Sequence, residues 1–569
     1  MEQNKDASEK QTRKKRINKS KTIKKIKDKD QEAWDQDNET EAEGLFSGKV
    51  WTSVKKFFWV LPFIIGLIGY YWGNIGERGV ELDFWEAVYA SAALYFVNPV
   101  AENSNIFIIV AKIMALIVVA HLILSVVTSL VDRFRKWIIR RYGSSTAVYT
   151  DTPLGRTIEE TAKHGYLGTD TPDGKAETTH DHIIMFDNDI SNLSFYEANK
   201  SIFDKRNRKV FIALKQVDPL LLKSVDNKNV HFFNVYEIES RKFWEKHNLY
   251  DEINDRDRKD KVFRIAIIGY GLMGKAIFKQ GFLNNIYRID QIIEYHIWGA
   301  RPLDRKDLEE LNTANSDKII IHDMECRDEI SDILEMNRVI VTLTDPLPVV
   351  QELISRPGIC RIYCYNEEGE DFSEFYNTNR LFVFGNFMMS MTVDDIKTEK
   401  LYENAKLINY DYELRSAYSK EIDNIKKASG DTAVNDKAAD DLKAKYEYND
   451  GRQQDADEKW DKLNGFTKGS NVARADYYWI EYINKQKGVS PYDRAKMEHI
   501  RWCRYHYYNG WSYAEGPKDP VKKTHSALVE FEKLSDETQD KDYFFSEQIR
   551  KKLDDEAERI YKESAAIVN

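Results

Sequence analysis

Ile267-Ile268-Gly269-Tyr270-Gly271-Leu272-Met273-Gly274 places three glycines in the spacing G-x-G-x-x-G, directly after an apolar β-branched run and before a helical pattern. In that context each glycine has a separate use. Gly269 permits a tight turn, Gly271 lets backbone approach a pyrophosphate, and Gly274 lets the helix pack on the strand. The helix start then offers free N–H groups and partial positive charge to phosphate. An acidic residue should end the next strand and hold a ribose hydroxyl pair. The chain has Trp298-Gly299-Ala300-Arg301 there, and Asp304 comes later. Arg301 suits an extra phosphate, as in an NADP-type site or with another phosphorylated ligand. The alternative is a sheet whose glycines serve packing alone. The cofactor stays open between NAD(P) and a signalling nucleotide. No substrate domain with a His, Lys or Asp catalytic set follows, so the chain is expected not to be an enzyme.

A second group of chemistry-bearing residues lies near the end. Trp502, Trp511 and Tyr513 are amphipathic rings able to stack on a base, and Arg501, Arg504 and Lys523 are cations able to meet phosphate. The alternative makes Trp502 and Trp511 the core of a small domain and His499 the cap of a buried hydrogen bond. Glu498 and His499 as an acid–base pair would need a nucleophile or metal ligand, and the sequence makes none evident. Cys360 and Cys364 lack a second ligand pair for zinc and read as strand residues.

These groups need elements to position them. Val262–Gly269, Glu294–Gly299, Lys318–Asp323, Arg338–Leu343, Arg361–Tyr365 and Leu381–Gly385 are short apolar runs separated by helical patterns, which predicts a doubly wound sheet. Thr146–Thr150, His182–Phe186, Lys209–Leu214 and Val230–Val235 predict a second, smaller parallel sheet before it. Its first turn, Asp151-Thr152-Pro153-Leu154-Gly155, suits a turn and not a phosphate cradle, so that sheet is expected to dock protein. Residues 420–458 are rich in Lys, Asp, Ala and Asn and read as a charged, largely solvated helical insertion or linker.

Upstream lie two apolar stretches, Phe57–Gly73 and Ile106–Leu130, with the shorter, more polar Asp83–Asn98 between them. A spanning helix needs roughly 20 mainly apolar residues, because the bilayer core leaves unpaired backbone groups nowhere to bond. The second stretch meets that length and the first is marginal. Lys14, Lys15, Arg16, Lys19, Lys21, Lys24 and Lys25 precede them, and Arg133, Arg135, Lys136, Arg140 and Arg141 follow. Positive charge at both ends predicts two crossings with both termini cytoplasmic, in an inner or plasma membrane. No small-residue cleavage site follows the first stretch, against a secretory signal. Cys326, Cys360, Cys364 and Cys503 all come after it, which fits reduced cytosolic thiols. The 569 residues carry a formal charge of −10, which gives no sign of a nucleic-acid binder.

Phe84-Trp85-Glu86-Ala87-Val88-Tyr89, followed by small residues, resembles the pore helix of two-helix potassium channels. The stretch matching the filter is Leu94-Tyr95-Phe96-Val97-Asn98-Pro99, which has no Thr-Val-Gly-Tyr-Gly and no glycine. Potassium selectivity is therefore not implied even where the architecture is. The pore candidates are Tyr95, Phe96, Asn98, Glu102 and Lys112. Glu102 could also be a solvated loop acid. Lys112 and His121 are nine positions apart, which at about 100° per residue sets them on opposite sides of a helix. His121 suits a contact between helices. A non-conducting two-helix anchor is the alternative for this whole region.

The order of parts over 145–395 resembles the regulator-of-potassium-conductance modules, paired Rossmann-like domains that follow a two-helix pore. Their ligand-driven expansion pulls the inner helices, and only the glycine loop carries over residue by residue. Glu498-His499-Ile500-Arg501-Trp502, Asn509-Gly510-Trp511-Ser512-Tyr513, Lys523-Thr524-His525-Ser526-Ala527-Leu528-Val529, Phe531 and Leu534 resemble the ryanodine-receptor repeat domain over about 490–550. That family implies sensing of nucleotide-derived signals, often in antiviral defence.

The expected fold is a multidomain membrane protein with two transmembrane helices, a re-entrant pore-like helix, two α/β Rossmann-like domains and a small mainly α ryanodine-receptor-type domain. Its parts are a basic disordered arm (1–50), the transmembrane pore-like domain (51–142), the Rossmann-like domains (145–255 and 260–395), a charged linker (396–475) and the C-terminal domain (476–569). The expected function is a ligand-gated ion channel, a homotetramer whose partners are the lipid bilayer, ions and a nucleotide-type ligand. A non-conducting membrane-anchored nucleotide sensor or scaffold is the second reading, and a membrane-tethered NAD(P)-dependent oxidoreductase the third.

Overall fold

The computed structural model describes residues 60–72, 82–96, 105–141, 145–162, 164–205, 208–217, 229–254, 261–358, 360–367, 371–387, 391–429 and 436–568. The expected basic arm, Asn98 and Glu102 lie outside the described residues. The chain divides into two compact units, 1–141 and 142–569.

In the first unit, helix α1 (Leu61–Tyr71), helix α2 (Phe84–Ala93) and the long helix α3 (Ile106–Arg141) pack through small residues. Asp83 starts α2 by accepting from Phe84 N at 2.7 Å, and Ala87, Ala90 and Ser91 form its buried side. Gly66 and Gly69 of α1 are buried at the seam: a Cβ on Gly69 would come within 2.8 Å of Ile108 Cγ1, and one on Gly66 within 2.8 Å of Leu94 Cδ1. Small residues let helix backbones approach closely. Asn105 ties α1 to α3, donating to Gly69 O at 2.9 Å while accepting from Ile108 N at 3.0 Å. Among the described helices, Ile106–Leu124 alone has the length and apolarity of a membrane span, with mean hydropathy 2.8; α1 has 11 residues. Two crossings therefore stay an expectation.

The second unit holds two parallel sheets. The smaller runs in the order β2-β1-β3-β4-β5, with β1 Thr146–Tyr149, β2 Gly165–Thr169, β3 Asp181–Ile184, β4 Lys209–Ala213 and β5 Val230–Phe233. Four of these match expected strands. Strand β2, Gly-Tyr-Leu-Gly-Thr, was not expected, because two glycines interrupt its apolar pattern. The larger sheet runs β11-β10-β9-β6-β7-β8, with β6 Val262–Ile268, β7 Ile292–Trp298, β8 Lys318–Ile321, β9 Arg338–Val341, β10 Arg361–Tyr365 and β11 Leu381–Phe384. All six expected strands are present. The order is that of a doubly wound sheet built from two halves, whose direction reverses between β6 and β9.

Helix α4 (Val235–Lys246) leads from the first sheet to the second, and α5 (Leu272–Asn284) follows the glycine loop. The remainder is mostly helical: α6 (Glu399–Ser429), α7 (Gly465–Gln486), α8 (Pro491–Tyr508) and α9 (Glu547–Val568). Its core is continuous with one face of the larger sheet, where Leu407, Tyr410 and Trp460 join Tyr477, Ile500 and Phe282. Residues 420–458, expected to be a largely solvated helical stretch, bury Leu442, Tyr448 and Ala456. Helix α7 also runs through the expected boundary at 475/476.

Candidate functional site

The glycine loop sits at the carboxyl end of β6, where the strand order reverses and open α/β sheets bind ligands. Gly269 has φ 97°, donates to Trp298 O at 3.1 Å, and its carbonyl accepts from Thr342 Oγ1 at 2.6 Å. Gly274 lies so close beneath that an added Cβ would be 2.1 Å from Gly269 O. Gly271 differs: a Cβ there would meet nothing within 4 Å, and no side chain caps the start of α5. Two glycines are thus held by packing, and the third faces open space. The matching turn of the smaller sheet is closed, because Thr152 Oγ1 accepts from Gly155 N at 3.2 Å and Asp151 Oδ1 from Asp187 N at 2.9 Å.

Beside the loop, Lys275 Nζ is 2.5 Å from Asp304 Oδ1, and Arg301 Nε donates to Asp304 Oδ2 at 2.9 Å. Arg301 is largely exposed, its side chain 72% open. Trp298, where an acid was expected, is buried, its ring stacked on His322 with centroids 3.8 Å apart. The loop fits a pyrophosphate, while the ribose-binding carboxylate of an NAD site has no counterpart at the end of β7.

A cleft of about 1710 Å³ adjoins this loop. Tyr270, Lys275, Asp304 and Asp307 line it from the sheet, and Trp511, Tyr513, Lys518 and Lys523 from the segment after α8. Tyr513 keeps half of its surface open, whereas Trp511 is 6% exposed, stacked on Phe466 with centroids 5.0 Å apart. Trp502 is partly buried among His499, His506 and His525. Arg501 is sealed in the interior with Glu498, through bonds of 2.8 and 2.9 Å. Burial raises the Glu498 carboxyl, but Arg501 and Arg474 outweigh it and hold that carboxyl below its usual value. Arg504 is spent on Thr313 O (2.8 Å), Phe282 O (2.6 Å), Asn315 Oδ1 (2.8 Å) and Asp317 Oδ2 (2.5 Å), which fastens α8 to the sheet. The structure therefore brings the glycine-loop side together with Trp511, Tyr513 and Lys523, and leaves Arg501 and Arg504 inside.

No protein-family model, curated protein or solved structure matches this chain.

His499 has partners that sequence spacing only half reveals. Its Nδ1 lies 3.3 Å from Asp542 Oδ2, and its Nε2 lies 2.9 Å from Val529 O and 3.4 Å from Cys503 Sγ. Burial opposes charge here, but the bonds to Asp542 and Cys503 outweigh it and raise the imidazole to about 10. His499 thus ties α8 to Val529 and Asp542 in the interior. The Cys503 contact follows from i, i+4 spacing on α8, while Asp542 is too distant in sequence to foresee.

Of the pore candidates, Tyr95 is partly buried and its hydroxyl accepts from Phe63 N at 3.2 Å. Phe96 is 83% exposed and ends a short 3₁₀ turn, Leu94–Phe96. Lys112 is partly buried on α3 and His121 exposed.

Proposed function

We propose that this chain is a ligand-gated ion channel whose 142–569 unit binds a nucleotide-type ligand and whose 1–141 unit forms the pore in a cell membrane, as a homotetramer with cytoplasmic termini. The observation that carries the reading is the loop at the β6–β9 reversal, where Gly271 faces open space beside the large cleft. The resemblances to two-helix potassium-channel pores, regulator-of-potassium-conductance modules and the ryanodine-receptor repeat supply the rest, and an antiviral setting with them. The close seam at Gly66 and Gly69, where α1 meets Leu94 and Ile108, supports a compact helical unit of the kind a pore needs. In this reading the few residues between Arg141, where α3 ends, and Thr146, where β1 opens, carry movement of the sheets to the inner helix. A ligand shifts such a gate only by its differential affinity for open and closed states.

A second reading, a membrane-anchored nucleotide sensor that conducts nothing, draws support from Leu94–Phe96. These residues continue as a 3₁₀ turn and not as the extended backbone whose carbonyls line a filter. Ion flux into liposomes carrying the full chain, with and without ATP, GTP, NADP and cyclic nucleotides, separates the two. Ligand-dependent flux supports the channel; ligand binding without flux supports the sensor.

A further inference from the structure

Among the described residues, three non-glycine positions have left-handed backbone: Ala314 (φ 61°), Thr398 (φ 38°) and Lys523 (φ 53°). Ala314 and Lys523 both line the cleft. Such residues cost on the order of 1–3 kcal/mol each and persist where something else holds them, which makes them pointers to function. Glycine would remove the cost at 523, as it does nearby at Gly510 (φ 76°), where an added Cβ would lie 3.7 Å from Lys523 Nζ. What the position keeps is therefore an ammonium group.

That ammonium is under-used. Lys523 Nζ donates to Asn509 O at 3.0 Å, a single neutral acceptor for three N–H bonds. Lys518 resembles it, its Nζ 4.8 Å from the Trp511 ring centroid and 5.5 Å from that of Phe466. Loss of water around Lys518 lowers its pKa, as expected of a cation lacking a counter-charge. Lys275, Lys496 and Lys533 on the same cleft are held by Asp304, Glu532 and Glu530. Among the described residues neither Lys518 nor Lys523 has a carboxylate partner. Two ammonium groups on one loop, lining the cleft with no carboxylate at ion-pair distance from either, suit a compact multivalent anion, and lysine meets phosphate as a point charge.

We infer that Lys518 and Lys523 form a phosphate subsite in the loop after α8, so that the ligand is a nucleoside polyphosphate reaching from this loop toward Lys275 at the glycine loop. The inference rests on reading the cleft as the nucleotide site. Ligand pockets usually measure about 300–1,000 Å³. The 1710 Å³ here leaves room for both ends, and the open face of Tyr513 is available to a base.

Isothermal titration of the full chain in nanodiscs with sodium tripolyphosphate and with ATP tests this. Wild type should bind both, and Lys518→Met and Lys523→Gly should each weaken both at least tenfold. Lys523→Gly should also unfold at a Tm no lower than wild type, since glycine relieves the backbone. Lys522→Met, whose parent side chain lies 3.8 Å from Asp519, should bind as wild type does. Absence of tripolyphosphate binding, unchanged affinity in the first two variants, or an equal loss in Lys522→Met would overturn the subsite. ATP binding no tighter than tripolyphosphate would leave the subsite standing and remove the nucleotide from the functional reading.

Discussion

Lys275 and Asp304 form an ion pair of 2.5 Å at the mouth of the glycine loop, joining the first turn of the helix after β6 to the helix after β7. Burial raises the Asp304 carboxyl, but bonds from Arg301 and Lys275 prevail and keep it below its usual value, so it is ionised at neutral pH. A phosphate arriving at the loop must compete with that carboxylate for Lys275. Asp304→Asn is therefore expected to strengthen tripolyphosphate binding several-fold while changing stability by no more than about 1 kcal/mol, as for partly exposed pairs. Titration calorimetry and chemical denaturation measure the two quantities, and weaker binding would show that Asp304 positions Lys275 for the ligand.

Gly271 and Gly274 should respond oppositely to substitution. Gly271 has φ −78° and open space around its missing Cβ, so Gly271→Asp should fold with Tm within a few degrees of wild type yet lose nucleotide binding. Gly274→Ala forces a Cβ to 2.1 Å from a backbone oxygen and should destabilise by about 1–3 kcal/mol through overpacking. Thermal melts with binding assays on both variants check this; a Gly271→Asp protein that binds normally removes the loop from the site.

The pH dependence of stability has two limbs. His499 is raised to about 10 from 6.5, so its contribution is whole below pH 6.5 and lost as pH climbs through 10. His182, His247 and His506 are lowered to about 3, and His296 and His525 to about 4, chiefly by burial. Theirs is present above pH 6.5 and lost as pH falls toward 4 and 3. Glu245 and Glu481, raised to about 7 chiefly by burial, oppose the histidines between pH 4.5 and 7, so melting temperature should fall as pH climbs from 7 toward 10 and fall again below about 4. His499→Gln should flatten the alkaline limb and leave the acid limb; a Tm that rises from pH 7 to 9 in wild type would contradict the assignment.

In the first unit, Gly69→Leu places side-chain atoms where Ile108 Cγ1 and its backbone N already lie, 2.8 and 3.1 Å from the position of a Cβ. The variant should lose the α1–α3 seam. Thermal melts of the full chain should place Gly69→Leu below wild type; an equal Tm would mean the seam accommodates the larger residue.

The six strands of the larger sheet were legible to within about two residues because strands buried on both faces read as continuous β-branched runs. Strand β2 was not, since Gly165 and Gly168 break its apolar run. Widely spaced apolar residues between 396 and 475 gave too weak a period to reveal a buried side. At the site, glycine spacing located the loop, but residue type alone could not separate ligand-facing from interior roles. Arg501 and Lys523 both read as phosphate contacts, and one is sealed against Glu498 while the other stands in the cleft. Lys518 had no sequence signal, because its importance lies in lacking a counter-charge.

Planar-bilayer recording from the purified full chain, with ATP, GTP, NADP and cyclic nucleotides added in turn to the side facing the 142–569 unit, tests the central claim most directly. Discrete conductance steps that appear with one of these compounds and disappear in Gly271→Asp are the predicted result. A silent bilayer with correctly inserted protein that binds the same compound would contradict it.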